Sequence, residues 1–207
     1  MKKIYLMIFI LLMLTPGMSM ATTYTFTPSD SDLADLPHGN YFKWGIKWTL
    51  PANEVITAAK ITYHNIWDWR IEEDHLFTHL LNQVNGTNGW STVTMSGYSY
   101  ARKTTTNTDS DGSGDSFNGQ GLLLGNWNDP KGGSNGQYAI DLFYTIPSTN
   151  FNWLSDGNFG FGIDPNCHYY NTGVDVEITT SRVPEPASML LLGLGLVGLA
   201  GLRRKIK

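Results

Sequence analysis

The chain has 207 residues, 41% of them hydrophobic and 13% aromatic, and its 14 Lys and Arg against 18 Asp and Glu give a formal net charge of −4. Lys2, Lys3, Arg203, Arg204, Lys205 and Lys207 lie at the two ends, so the eight remaining basic residues face all 18 acidic ones and leave ten excess negative charges between the ends. That excess argues against nucleic-acid binding, which needs Lys and Arg to neutralise phosphates, and the single cysteine, Cys167, excludes an internal disulfide.

Lys2 and Lys3 precede an apolar run, Ile4 to Leu14, which Pro16-Gly17 breaks just ahead of Ser19-Met20-Ala21. A short positive region, an apolar region and small residues in that order predict a signal peptide over residues 1–21, cut by signal peptidase between Ala21 and Thr22. Residues 22–182 then form one exported domain, long enough to bury a sizeable core.

Tyr24 to Thr27 is a short strand candidate, and Tyr41 to Leu50 a clearer one, because Phe42, Trp44, Ile46, Trp48 and Leu50 alternate with Lys43, Gly45, Lys47 and Thr49. Lys60 to Trp67 alternates more weakly. Ile71 to Val84 is ambiguous: Ile71, His75, Thr78 and Leu81 suit a helix face, but the apolar and aromatic residues of Leu76 to Leu81 favour a strand. Trp90 to Met95 and Leu122 to Leu124 are short strand candidates. Tyr138 to Ile146 places Tyr138, Ile140, Leu142, Tyr144 and Ile146 on one face; Phe159, Phe161 and Ile163 alternate with Gly160 and Gly162; and Val174 to Ile178 completes the series. Turn signals such as Pro51-Ala52-Asn53, Asn85-Gly86, Asp129-Pro130 and Pro147-Ser148 separate these runs. The fold class that follows is all-β, an antiparallel β-sandwich or jelly roll.

Thr104 to Gly121 is a low-complexity loop. In it Asn107, Asp109, Asp111, Gly112 and Asp115 fall at positions 1, 3, 5, 6 and 9 of an EF-hand-type calcium loop, but position 12 is Asn118 where a bidentate Glu belongs. Calcium is the one cofactor this suggests. His75 and His79 follow Glu72, Glu73 and Asp74; on a helix they could share a metal, whereas on a strand they stand about 13 Å apart. Cys167-His168 lies in an expected turn between Asp164 and Asn171, where the thiol is a small hydrophobe, a metal ligand or a reactive group. Glu54, Asp68, Glu72 and Glu73 could supply the paired carboxylates of a glycoside hydrolase. No nucleophile-elbow or phosphate-loop pattern is present.

All seven tryptophans belong to the exported domain. Trp44 and Trp48 share the apolar face of their strand, whereas Trp67, Trp69 and Trp127 sit among Asn65, Asp68, Arg70, Asn126, Asn128 and Asp129, a mixture suited to stacking against sugars. The domain reads as a non-enzymatic structural or adhesive module with possible affinity for exopolysaccharide; a carbohydrate-active hydrolase of the extracellular matrix is the alternative.

The tail joins Val183-Pro184-Glu185-Pro186, an uncharged Gly- and Leu-rich stretch to Leu202, and the basic end Arg203-Arg204-Lys205. As a helix, residues 186–202 reach about 25 Å, a little short of a hydrocarbon core of about 30 Å. The basic stop places the C-terminus on the cytoplasmic side of this transmembrane segment. Each proline disfavours helix at the residue before it, so 183–186 should be extended and reachable by a protease.

With motif, apolar segment and basic end in this order, the tail resembles a PEP-CTERM sorting signal. The resemblance covers residues 183–207 alone. It implies a Gram-negative bacterium that secretes exopolysaccharide, recognition of Pro184, Glu185 and Pro186 by an exosortase-like membrane protease, and delivery to the cell envelope, cell surface or extracellular matrix.

Overall fold

A computed structural model describes residues 20–28, 31–37, 40–71, 74–84, 91–95, 98–102, 114–183 and 193–195. Twelve strands run through these residues: β1 (Ala21–Phe26), β2 (Asp35–Leu36), β3 (Phe42–Lys47), β4 (Glu54–Asp68), β5 (Leu76–Leu81), β6 (Ser91–Met95), β7 (Tyr98–Arg102), β8 (Leu122–Trp127), β9 (Ile140–Thr145), β10 (Asn158–Pro165), β11 (Tyr169–Tyr170) and β12 (Gly173–Arg182). They form two antiparallel sheets.

The first sheet is built on β4. Along β4, β12 pairs from Gly173 opposite His64 to Arg182 opposite Glu54, and β11 continues the same side with Tyr170 opposite Trp67 and Tyr169 opposite Asp68. β1 adds beyond β12, β2 beyond β11, and β9 lies along the other side of β4. Asn65, at φ 49, sits where the β4–β9 register shifts; its N–H donates to Asp141 Oδ1 at 2.9 Å and its side-chain amide to Thr172 Oγ1 at 3.0 Å. A short polar side chain tolerates this left-handed backbone better than a bulky one.

The second sheet runs β6–β7–β3–β10–β5–β8. Phe42, Trp44 and Ile46 of β3, Phe159, Phe161 and Ile163 of β10, and Leu76 and Leu80 of β5 share one core with Ile61, Tyr63, Ile66, Val176 and Ile178 of the first sheet. The buried hydroxyls of Tyr63 and Thr78 meet across the two sheets at 2.8 Å. Period-two alternation explains these inward faces, and β12 shows it plainly, with Val174, Val176, Ile178 and Thr180 buried between partly exposed neighbours.

The outer face of the second sheet departs from simple alternation. Every residue of β10 after Asn158 is buried, because Phe117 covers Gly162 and Val84 reaches Gly160. A Cβ on Gly162 would stand 2.7–2.8 Å from the Phe117 ring, and one on Gly160 2.3 Å from Val84 Cγ2. The segment carrying Phe117 is tied down by His79 Nε2 to Asp115 Oδ2 at 2.9 Å and by the Ser116 N–H to Asp164 Oδ2 at 2.6 Å.

The ambiguous Leu76 to Leu81 run is a strand. Several elements correct the sequence reading. β4 extends from Glu54 to Asp68 rather than over Lys60 to Trp67, and β12 to Arg182 rather than Ile178. β3 stops at Lys47, short of Leu50. β7 and the short helix Phe151–Ser155 carried no recognised signal. Tyr138 and Ile140 do not join the covered face of β9, because that edge strand is covered only from Leu142 onward. Among the described residues no helix is long and apolar enough to cross a membrane. Residues 1–19 of the expected signal peptide and most of the expected transmembrane segment over 186–202 lie outside the described residues.

Candidate functional site

The two ends of β4 differ in chemistry. At one end the chain arrives and leaves: Ala21 is opposite Ser181, Thr22 opposite Thr180, and the Val183 N–H donates to the Asn53 carbonyl at 2.8 Å. Glu54 holds this end, accepting from Tyr24 Oη at 3.1 Å and from Thr180 Oγ1 at 2.5 Å.

The opposite end gathers β2, β11, the end of β4 and the turns around residues 69–71, 128–136 and 166–168. Trp67 stacks on Tyr170 with centroids 4.7 Å apart, and Tyr170 on His168 at 4.4 Å. His168 Nε2 in turn meets Asp35 Oδ1. Trp127 packs on Tyr169 at 5.4 Å and lies against the core. Trp69 is different: it is 54% exposed, and the Arg70 guanidinium lies 5.2 Å from its ring centre. The fold therefore brings Trp67, Trp69 and Trp127 to one end, but it is Trp69 that offers an open ring.

Asp129 organises the turn beneath them. Its Oδ1 accepts from the Lys131 and Gly132 N–H groups at 3.0 and 3.2 Å, and its Oδ2 accepts the Asp68 N–H at 3.0 Å. Gly132 has φ +47, and a Cβ there would stand 2.2 Å from the Arg70 carbonyl carbon, so both conformation and space demand glycine.

Below this turn a carboxylate oxygen of Asp68, one of Asp74 and the Cys167 Sγ all lie within 4.8 Å of one another. Asp68 and Asp74 are buried, and Cys167 is half-buried. Asp68 Oδ1 accepts the Trp69 N–H at 2.6 Å, while Oδ2 is buried with no hydrogen-bond partner. Tyr169 borders the group: burial, then the negative charges of Asp74 and Asp68, push its hydroxyl far above the usual tyrosine range, so it stays protonated. Cys167 was legible as a possible ligand; its nearness to Asp68 and Asp74 was not, because Asp68 ends β4 and Asp74 precedes β5, far from Cys167 in the chain.

The remaining candidates are placed as follows. Asp115 has both carboxylate oxygens engaged, with His79 and with the Phe117 N–H at 2.9 Å, and anchors a loop. Asn107, Asp109 and Asp111 lie outside the described residues, as do Glu72 and Glu73. His75 and His79 take separate partners, Asn126 and Asp115, as a strand requires. Asp164 belongs to β10 and holds Ser116 rather than the turn expected between Asp164 and Asn171, where Asn171 donates to Leu33 O at 2.6 Å and accepts the Gly173 N–H at 2.9 Å. Glu54 and Asp68 end opposite termini of β4. Fourteen steps of a strand separate them by about 45 Å, so they cannot be a glycosidase pair. Cys167 and His168, adjacent in sequence, turn to different groups.

One feature the sequence reading missed lies on the outer face of the first sheet, where His64 Nε2 meets Asp175 Oδ2 at 2.5 Å and Lys60 Nζ meets Glu177 Oε2 at 2.8 Å. Lys60 and Glu177 are directly opposite each other on β4 and β12, and His64 and Asp175 are diagonal, pairings that appear only once the register is known.

Of the motif Val183–Pro186 only Val183 lies among the described residues; Pro184, Glu185, Pro186, Arg203, Arg204 and Lys205 lie outside them. No curated protein matches the chain. Residues 182–205 match the PEP-CTERM protein-sorting motif, which makes the chain an exported protein of the cell envelope or surface, processed by an exosortase-like membrane enzyme.

Proposed function

We propose that the domain over residues 22–182 acts at the cell surface or in the extracellular matrix of a Gram-negative bacterium as a non-enzymatic structural or adhesive module that contacts exopolysaccharide. The observation that carries this reading is the polarity of the fold. β12 leads from Gly173, beside the aromatic end, to Arg182, where the sorting motif begins. Nine strand steps place the two about 30 Å apart, so sorting at one end leaves the other facing outward. There Trp69 offers an exposed apolar ring and Arg70 a set of donors, the combination that grips a sugar face and its hydroxyls.

In this reading signal peptidase leaves Thr22 as the first residue, already opposite Thr180. Residues 186–202 hold the precursor in the membrane until the exosortase-like protease cuts near Pro184, Glu185 and Pro186.

A glycan array together with a reducing-sugar assay on residues 22–182 tests the proposal. Binding without release of reducing ends, lost in Trp69→Ala at unchanged melting temperature, is expected. Released reducing ends would replace the module by a hydrolase, and neither binding nor release would leave a scaffold without sugar affinity. Mass spectrometry of the mature protein tests the processing, since an intact Lys207 on every copy would contradict removal of the tail.

A further inference from the structure

Beneath the aromatic end, we infer that Asp68, Asp74 and Cys167 form a binding site for a divalent transition-metal cation of the zinc class. Their three candidate ligand atoms already lie within 4.8 Å of one another. In a tetrahedral zinc site, oxygen at about 2.0–2.2 Å and sulfur at about 2.3 Å stand roughly 3.5 Å apart, so closing on an ion needs a contraction of about 1 Å.

The donors call for a cation. Asp68 is fully buried, and its Oδ2, with no hydrogen-bond partner, belongs to a carboxylate set beside that of buried Asp74. A cation bound between two buried carboxylates this close would offset the cost of burying their negative charge. The Asn166 amide, next to Cys167 in the chain, is also buried with neither polar atom hydrogen-bonded. A thiolate in the set selects the zinc class over calcium or magnesium, which favour all-oxygen sites.

The backbone around each ligand is held in advance. The Asp68 N–H donates to Asp129 and its carbonyl accepts from Gly133 at 2.9 Å; the Asp74 carbonyl accepts from the Asn128 side chain at 2.7 Å; Asn166 N–H donates to the His75 carbonyl at 2.8 Å. On binding, the Cys167 thiol gives its proton to solvent and the sulfur bonds to the metal; no electron is transferred.

The test is titration of the full chain in detergent, stripped with chelator, with cobalt chloride and then zinc chloride. The expected result is one cobalt per chain with a sulfur-to-cobalt charge-transfer band, displaced by zinc, and slower alkylation of Cys167 in the wild type once zinc is bound. Cys167→Ser should abolish the band, and it and Asp68→Asn should each weaken binding at least about tenfold. The alkylation readout needs no variant and holds if a variant fails to fold. The site is refuted if cobalt is not taken up, if uptake brings neither thiolate band nor protection, or if uptake survives both substitutions, which would put the ion elsewhere, as in the Asn107 to Asp115 stretch.

Discussion

Gly162 and Phe117 should be energetically coupled, and the size of the coupling follows from their contact. A Cβ added at Gly162 would stand 2.7–2.8 Å from three Phe117 ring carbons, where carbon atoms prefer about 3.5–4.0 Å. Gly162→Ala therefore pushes a buried ring by about 1 Å, and overpacking of this kind costs about 1–3 kcal/mol. Phe117→Ala alone loses a buried aromatic ring, about 3–5 kcal/mol. In the double variant the added methyl enters the space the ring has left. The cost of Gly162→Ala should then vanish, and about 0.5–1 kcal/mol could be regained because Ala suits a strand better than Gly. A double-mutant cycle by urea denaturation should show an interaction of about 1–3 kcal/mol. In a domain of this size each kcal/mol moves the melting temperature by roughly 2–4 °C. Additivity within about 0.5 kcal/mol would refute the packing of Phe117 over β10.

Burial raises the Asp164 carboxyl above its ordinary value of 3.8, against the lowering effect of the Ser116 hydrogen bonds. The folded state therefore holds this proton more tightly than the unfolded state. Its contribution to stability is complete below the unfolded pKa and is lost as pH rises through the folded one. Asp164→Asn cannot ionise, so the melting temperature of the variant relative to wild type should climb as pH rises from about 4; parallel curves would count against the burial argument. Tyr63→Phe should cost about 1–3 kcal/mol in chemical denaturation by stranding the buried Thr78 hydroxyl, and Tyr63→Phe with Thr78→Val should recover most of it. No recovery would mean the two hydroxyls are not each other's partners.

The aromatic alternation of Phe42 to Trp48 and the Leu76 to Leu81 run were legible because a half-buried strand needs its apolar residues two apart, whatever lies across from them. β7 was not legible: in Tyr98–Arg102 the alternation is limited to Tyr98 and Tyr100, too short a run to stand out, and its place comes from pairing with β3 and β6. Tryptophan positions suggested a sugar platform, yet Trp67 and Trp127 are stacked on Tyr170 and Tyr169, residues a hundred and more than forty positions away in the chain. Which ring faces stay open depends on those distant partners.

The address and the composition can be read directly along the chain: the order of motif, apolar segment and basic end at the C-terminus, the acidic β domain, and the inward faces of its strands. Each of these is a local property of charge, hydropathy or period. The paired strands β1 and β12 set Ala21 and Arg182 at one end of β4 and the stacked Trp67, Tyr170 and His168 at the other, and bring Asp68, Asp74 and Cys167 together, which no local pattern in the chain announces. Convergence depends on strand register and on where loops fold back, and register is set by the packing of all the inward faces together.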